Sequence, residues 1–310
     1  MINCVKFSRI MNLTPDSKVI IQGTTISPSL THAAVQMKTY KTRVVACVCP
    51  GQGGRELSEI PIFDLVEQVI TNVGEIDISV IFVHPYQVLD AALEAMAAGI
   101  RQLIIVTEGM PPLDMVHLVR KAEITETLVV GPNCSGIIIP DKLLLGTHPV
   151  EFYRPGNVGL LSRSSTLTYE VAAELTQGGL GQSVAVSIGS DFIVGSSFLQ
   201  WLEILDEDEN TDVIVLVGEM GGTSEEEAAS YIAESIDTPV IAYVAGLHAP
   251  TTKLLGHASL LMTSKVVKNM VDPGTVESKV SAFKNAEVLV AKQPSEIPIL
   301  VKKVIKKTKK

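Results

Sequence analysis

An α/β protein with mainly parallel sheets is what this chain predicts, and three observations predict it. Short runs of Val, Ile and Leu alternate with segments of helical periodicity along all 310 residues. The composition is 46% hydrophobic but only 5% aromatic, the aliphatic mix that suits strands covered by helices on both faces. The strand–helix series breaks once, near Gly131-Pro-Asn-Cys-Ser-Gly136, and then restarts, which at this length reads as two domains.

The first series runs as follows. Residues 18–22 read as a strand, 23–29 (Gly-Thr-Thr-Ile-Ser-Pro-Ser) as a loop and 32–40 as a helix. A second strand over 43–48 leads into the glycine-rich loop 50–54. Strands at 79–83, 103–106 and 128–130 are separated by helices at 88–98 and 113–122. This is a βαβ series with right-handed crossovers. Residues 1–11 read as a short extension, 12–135 as the first domain, and 136–155, with Pro140, Pro149 and Pro155, as a connection. The second domain, 156–310, has strands at 158–161, 183–187, 213–217 and 240–244. Its helices are expected at 166–177, 196–206, 224–235, 275–285 and 295–306.

The formal net charge of −9 argues against nucleic acid as a partner; the lysines of 302–310 read as a solvated helix end. Cys4, Cys47, Cys49 and Cys134 have neither metal-binding nor secretory spacing, so no metal site is expected and a reducing, cytoplasmic setting is the simplest reading. No apolar run reaches the roughly 18–20 residues of a membrane span, and the amino-terminal residues lack the apolar core of a signal peptide.

Ligands of open α/β sheets sit beyond the carboxyl ends of the strands, so the loops there hold the candidate site. His257, on a loop after the 240–244 strand, is flanked by Gly256, Ala258 and Ser259, which leave room around its ring; His248 competes with it and is nearer the strand. Most histidines on such a background are merely packed or solvated. Glu219 ends an apolar strand among glycines, where it could take the proton of one imidazole nitrogen and leave the other as a nucleophile. Glu225, Glu226 and Glu227 read as a solvent-facing helix start favoured by the helix dipole. Ser164, Ser165 and Thr166 sit at a strand-to-helix turn; they read as helix caps, and equally as an anion site, since free N–H groups and the dipole favour phosphate there. Arg163 beside them could assist or face solvent.

Taken in order, Thr107-Glu-Gly, Gly131-Pro-Asn-Cys, Ser162-Arg-Ser, Thr166-Leu-Thr-Tyr-Glu170, Gly218-Glu-Met-Gly-Gly, Glu225-Glu-Glu-Ala-Ala and Gly256-His-Ala form a pattern. It resembles the α subunit of succinate–CoA ligase over essentially the whole chain after Met11. Related modules occur in ATP-citrate lyase, citryl-CoA synthetase and ADP-forming acetate–CoA ligases. The resemblance implies a Rossmann-like CoA-binding domain followed by a flavodoxin-like ligase domain. It implies phosphorylation of His257 on Nε2, with Glu219 steadying the other ring nitrogen and Ser164, Ser165 and Thr166 receiving the phosphoryl group. Tyr169 would lie near the carboxylate substrate. CoA would meet Thr25, Ser27, Pro28, Ser29, Gln52, Val106, Thr107, Glu108, Asn133 and Cys134.

The same resemblance implies a separate β subunit, in an αβ or α2β2 assembly, holding ATP or GTP with Mg2+. Succinate and CoA would be the small-molecule substrates and the tricarboxylic acid cycle the setting. Two departures from the family pattern bear on CoA: the first loop lacks the family's later glycines, and Gln52 replaces a lysine. The alternatives are a sister acyl-CoA synthetase using citrate or acetate, and a degenerate CoA-binding regulatory subunit.

Overall fold

The computed structural model describes residues 13–247 and 274–308. The chain forms two compact units. One runs through His148 and includes Ile193–Ser196; the other comprises Pro149–Phe192 and Ser197–Lys310.

In the first unit the strands are β1 (Val19–Gln22), β2 (Val44–Val48), β3 (Glu56–Leu57), β4 (Ile60–Phe63), β5 (Ile78–Ile81), β6 (Gln102–Ile105) and β7 (Leu128–Val130). They lie in the order β3-β4-β2-β1-β5-β6-β7, all parallel except that β3 runs antiparallel to β4. The helices are α1 (Pro28–Thr39), α2 (Val66–Val73), α3 (Val88–Ala97) and α4 (Pro112–Ile124). Val19, Ile20, Ile21, Ile78, Val80 and Ile81 are fully buried, as strands covered on both faces require.

Helix α1 starts four residues before the expected position, so Pro28 and Ser29 belong to its first turn rather than to a loop. Ser27 caps it, its hydroxyl accepting the Leu30 N–H at 3.2 Å, and Pro28 at the first helical position has no N–H to lose. The β3–β4 hairpin and α2 had no counterpart in the expectation. Ser58 and Glu59, the two turn residues, both have positive φ, 49° and 64°. That turn usually announces itself with Asn-Gly or Asp-Gly.

The segment 136–155 contains a further hairpin, β8 (Gly136–Ile139) with β9 (Leu143–Gly146). It lies in the first unit, where the Thr42 hydroxyl donates to Leu144 O at 2.8 Å and accepts the Leu144 N–H at 3.0 Å. Gly136 and Gly146 face each other across it. A Cβ on Gly136 would lie 1.9 Å from Leu145 O, so only glycine lets the two backbones approach.

The second unit restarts the pattern with β10 (Pro155–Ser162), β11 (Gln182–Ser187), β12 (Val213–Gly218), β13 (Val240–Val244) and β14 (Leu289–Ala291). These run parallel in the order β14-β13-β12-β10-β11. The helices are α5 (Ser165–Gln177), α6 (Phe198–Asp206), α7 (Ser224–Ser235), α8 (Val276–Asn285) and α9 (Ile297–Thr308). A capping box of Ser197 and Gln200 starts α6, which buries Phe198 and Trp201 completely. Among the described residues no helix is long and apolar enough to cross a membrane.

Among the described strands, each unit has one point where strand order reverses. In the first it falls between β1 and β5; in the second, between β10 and β12. Connections leave in opposite directions there and open a crevice beyond the carboxyl ends of the strands.

His148, fully buried, meets Gly136 O through Nε2 at 3.0 Å. Desolvation holds its pKa down at about 4, against the smaller opposing effect of that hydrogen bond. The unfolded chain, with an ordinary value near 6.5, therefore binds more protons between the two values. The contribution of His148 is fully present above about pH 6.5 and lost as pH falls toward 4. Denaturant titrations should show wild type losing about 2–3 kcal/mol more than His148→Gln between about pH 7 and about pH 4.5.

Candidate active site

The second unit's switch point joins two of the segments singled out from sequence. Ser162 pairs with Val217 across β10 and β12, so the strands end side by side and deliver Ser164 and Glu219 to the same crevice. Ser164 is the N-cap of α5, its hydroxyl accepting the Leu167 N–H at 3.4 Å. The Ser162 hydroxyl accepts the Ser164 N–H at 3.1 Å and donates to Ser164 O at 2.9 Å, which fixes the turn. Ser165 turns its hydroxyl to Ser187 at the end of β11, 3.4 Å away, while Thr166 is exposed. Tyr169, one turn on and half-buried, stacks on Phe152 with ring centroids 6.1 Å apart. This is a helix start of hydroxyls and N–H groups at the positive end of a dipole, suited to an anion.

Glu219 is buried, with 8% of its surface exposed, although it lies on a loop. That loop is held by charges that no local pattern of residues announces. Glu225, expected in solvent, is fully buried; only Glu227 of the three glutamates is exposed. The physical reason is charge pairing inside the protein. Glu225 is paired with Lys279 of α8, itself fully buried, and lies 3.7 Å from Arg163. Buried charges persist only when matched in this way. Glu225 Oε1 accepts the Glu219 N–H at 3.0 Å. Arg163, 6% exposed, donates to Gly221 O at 3.4 Å and to the Ser224 hydroxyl at 3.3 Å. It therefore faces the protein, bridging the helix start and the Glu219 loop.

His257 and His248 lie outside the described residues, but both ends of the segment that carries them are placed. Before it, Ala245 N–H donates to Gly218 O at 3.0 Å; after it, Gly221 N–H donates to Gly274 O at 2.9 Å. The described residues on either side of 248–273 thus both bond to the Gly218–Gly222 stretch that carries Glu219.

In the first unit the loops at the switch point form a bonded rim. Thr24 donates to Gln87 Oε1 at 2.6 Å and accepts the His84 N–H at 2.8 Å, spanning β1 and β5. Gln52 donates to the Thr25 hydroxyl at 2.6 Å. The Thr107 hydroxyl donates to Val83 O at 2.7 Å, and Asn133 N–H to Thr107 O at 2.9 Å. Val106 is half-buried and Glu108 exposed. Cys134 is buried, its thiol directed to Ile105 O at 3.1 Å. Exposed Thr25, Pro28 and Ser29 sit with half-buried Ser27 at the start of α1. These hydroxyl, amide and N–H donors fit a ligand bearing phosphate and amide groups, as CoA does, although loops 23–29 and 50–54 carry no cation. A cavity of about 500 Å³ lined by Asp16, Asp77 and Arg101 opens at the opposite, amino-terminal ends of the strands and takes no part in this rim.

Two domains of this kind define a CoA ligase. Residues 14–109 match the CoA binding domain family, and residues 161–269 match the CoA-ligase family. Subunit alpha 2 of an ADP-forming succinate–CoA ligase from Archaeoglobus fulgidus is 42% identical over 289 residues, 93% of this chain and 97% of the relative. The alpha subunit of an ADP-forming succinate–CoA ligase from Aquifex aeolicus is 40% identical over 293 residues, 94% of this chain and 93% of the relative. The chain belongs to the family of succinate–CoA ligase α subunits.

Solved structures extend the likeness of fold. ATP citrate lyase from Methanothrix soehngenii, in complex with citrate and coenzyme A, superposes with a TM-score of 0.82 at 22% identity; the match covers 95% of this chain and 50% of that one. A dinucleotide-forming acetyl-coenzyme A synthetase from Ca. Korarchaeum cryptofilum gives 0.71 at 23%, covering 93% and 60%.

Gly131, with φ of +98°, tests the rim. A Cβ there would lie 2.2 Å from Ile105 O. Gly131→Ala should cost at least about 1–3 kcal/mol and pull Asn133 from Thr107. Titration with CoA should then show affinity reduced by about tenfold or more, roughly 1.4 kcal/mol.

Proposed function

We propose that this chain, in complex with a β subunit, interconverts succinyl-CoA, nucleoside diphosphate and phosphate with succinate, CoA and nucleoside triphosphate through a phosphohistidine on His257. The carrying observation is that the described residues flanking the segment with His257, Ala245 and Gly274, both bond to the Gly218–Gly222 stretch that carries Glu219, next to the strand that leads to Ser164. Glu219 accepts a hydrogen bond from one imidazole nitrogen, which leaves the lone pair of the other to attack the γ-phosphorus as nucleoside diphosphate departs. The helix start of Ser164, Ser165 and Thr166 takes the transferred group's oxygens, its dipole and N–H groups offsetting their charge.

A carboxylate oxygen of succinate, near Tyr169, then attacks that phosphorus and the histidine nitrogen leaves, giving succinyl phosphate. The CoA thiolate attacks the acyl carbon, phosphate leaves, and succinyl-CoA results. Thr25, Ser27, Pro28, Ser29, Gln52, Val106, Thr107, Glu108, Asn133 and the Cys134 backbone form the surface on which CoA is oriented. Replacement of the family's lysine by Gln52 removes one exposed phosphate contact, worth about 1 kcal/mol or less, so CoA binding is weakened rather than abolished. ATP or GTP with Mg2+ belongs to the β subunit; the family resemblance supports the tricarboxylic acid cycle as the setting, and the cysteine usage supports a reducing cytoplasm.

The chain is to be co-expressed with its β subunit and incubated with γ-labelled nucleoside triphosphate. Acid-labile, alkali-stable label is expected on wild type and should be absent from His257→Asn. Discharge of the label by succinate, rather than by citrate or acetate, identifies the carboxylate. An active partner that leaves the wild-type chain unlabelled overturns the proposal.

A further inference from the structure

We propose that Lys279, through Glu225, is a positioning residue that holds the Glu219 loop in register with the helix start of α5; the inference rests on the reading of Glu219 and His257 given above. Lys279 is fully buried and far from both segments in sequence. Its Nζ contacts one Glu225 carboxylate oxygen, lies 3.1 Å from Glu226 Oε2, and donates to Gly222 O at 2.9 Å. The other Glu225 oxygen holds the Glu219 N–H, and Arg163 holds Gly221 O. Glu219, Gly221 and Gly222 are thus fixed through their backbones by three buried charged side chains, from the β10–α5 turn, α7 and α8.

The same cluster anchors the carboxyl-terminal root of the His257 segment. Glu226 Oε1 accepts the Gly274 N–H at 3.3 Å and the Ser278 hydroxyl at 2.9 Å. Stability alone does not call for such a cluster, because well-packed apolar side chains of similar volume usually serve a buried site as well or better. What an apolar cluster could not do is hold particular N–H and C=O groups of a glycine-rich loop. The two cations and two carboxylates balance, so the cluster adds no net charge to the crevice. It acts by geometry, on the placement of the Glu219 carboxylate and of the segment that must meet it. A loop rich in glycine has many conformations to lose, and these bonds select one.

Two measurements test this. In the full chain, hydrogen–deuterium exchange of Lys279→Met should rise about tenfold or more at the amides of 219–222 while β12 and β13 keep wild-type protection. Unchanged exchange in the loop, or an equal rise throughout β12 and β13, overturns the proposal. In complex with the β subunit, the single-turnover rate of His257 labelling should fall about tenfold or more, with the nucleotide concentration at half-saturation unchanged. Labelling at the wild-type rate overturns it too. Should Lys279→Met fail to fold, Glu225→Gln replaces it. That variant keeps the shape and an acceptor for the Glu219 N–H, and the same localised rise in exchange is required of it. If the wild-type complex takes no label, the phosphohistidine reading fails, and the exchange measurement alone decides the positioning claim.

Discussion

Side-by-side parallel pairing of β10 and β12 is the constraint on which the candidate site depends. Register fixes Ser162 opposite Val217, so the two chains emerge together from the carboxyl edge of the sheet. From there one turns into α5 and the other into the Gly218–Gly222 loop. Neither segment is a site by itself: a capped helix start offers N–H groups, and a loop glutamate offers a proton acceptor. Strand order reverses between them, which keeps crossover helices from filling the gap. Because β13 lies beside β12, with Gly218 opposite Val244, the segment bearing His257 also departs from this edge. A one-residue slip in either pairing would turn the alternating side chains to the other face and separate the parts.

The two switch points solve different electrostatic problems. In the first unit the rim's cross-links (Thr24 to Gln87, Gln52 to Thr25, Asn133 to Thr107) are hydrogen bonds between neutral groups of the loops. Such a surface binds by shape and many modest contacts. In the second unit four charged side chains lie behind the crevice, three of them almost wholly buried. Charges in a poorly screened interior interact far more strongly than at a surface, so this arrangement is stiff where the other is adaptable. The contrast suits the chemistry proposed for each: a large cofactor is bound by one unit, and a phosphorus centre has to be placed by the other.

Much of this organisation was legible from residues. Periodicity located the major strands and helices within a few residues, and the strand-end rule chose the loops that the sheets bring together. Elements that escaped did so for local reasons. The β3–β4 turn uses Ser58 and Glu59 where glycine or asparagine would have signalled it. The β8–β9 hairpin hides among prolines that read as a linker, and β14 is a short edge strand of which only Ala291 is buried. Ser27-Pro28 was a visible start signal for α1, but hydroxyls beside a glycine read first as loop.

Glu225 was misread for a different reason. Three successive glutamates opening a helix look alike, and the dipole argument applies equally to all. What separates them is that α7 turns Glu225 inward toward a lysine more than fifty residues away. No local pattern contains that pairing, and Lys279 itself reads as one more polar residue on the amphipathic helix α8. Buried ion pairs between distant elements are the class of feature that sequence periodicity reports wrongly, since each partner alone argues for solvent. They are also where a fold can impose geometry on a loop that its own glycine-rich sequence would leave free. The least legible part of this site is for that reason the part that governs how its more recognisable residues meet.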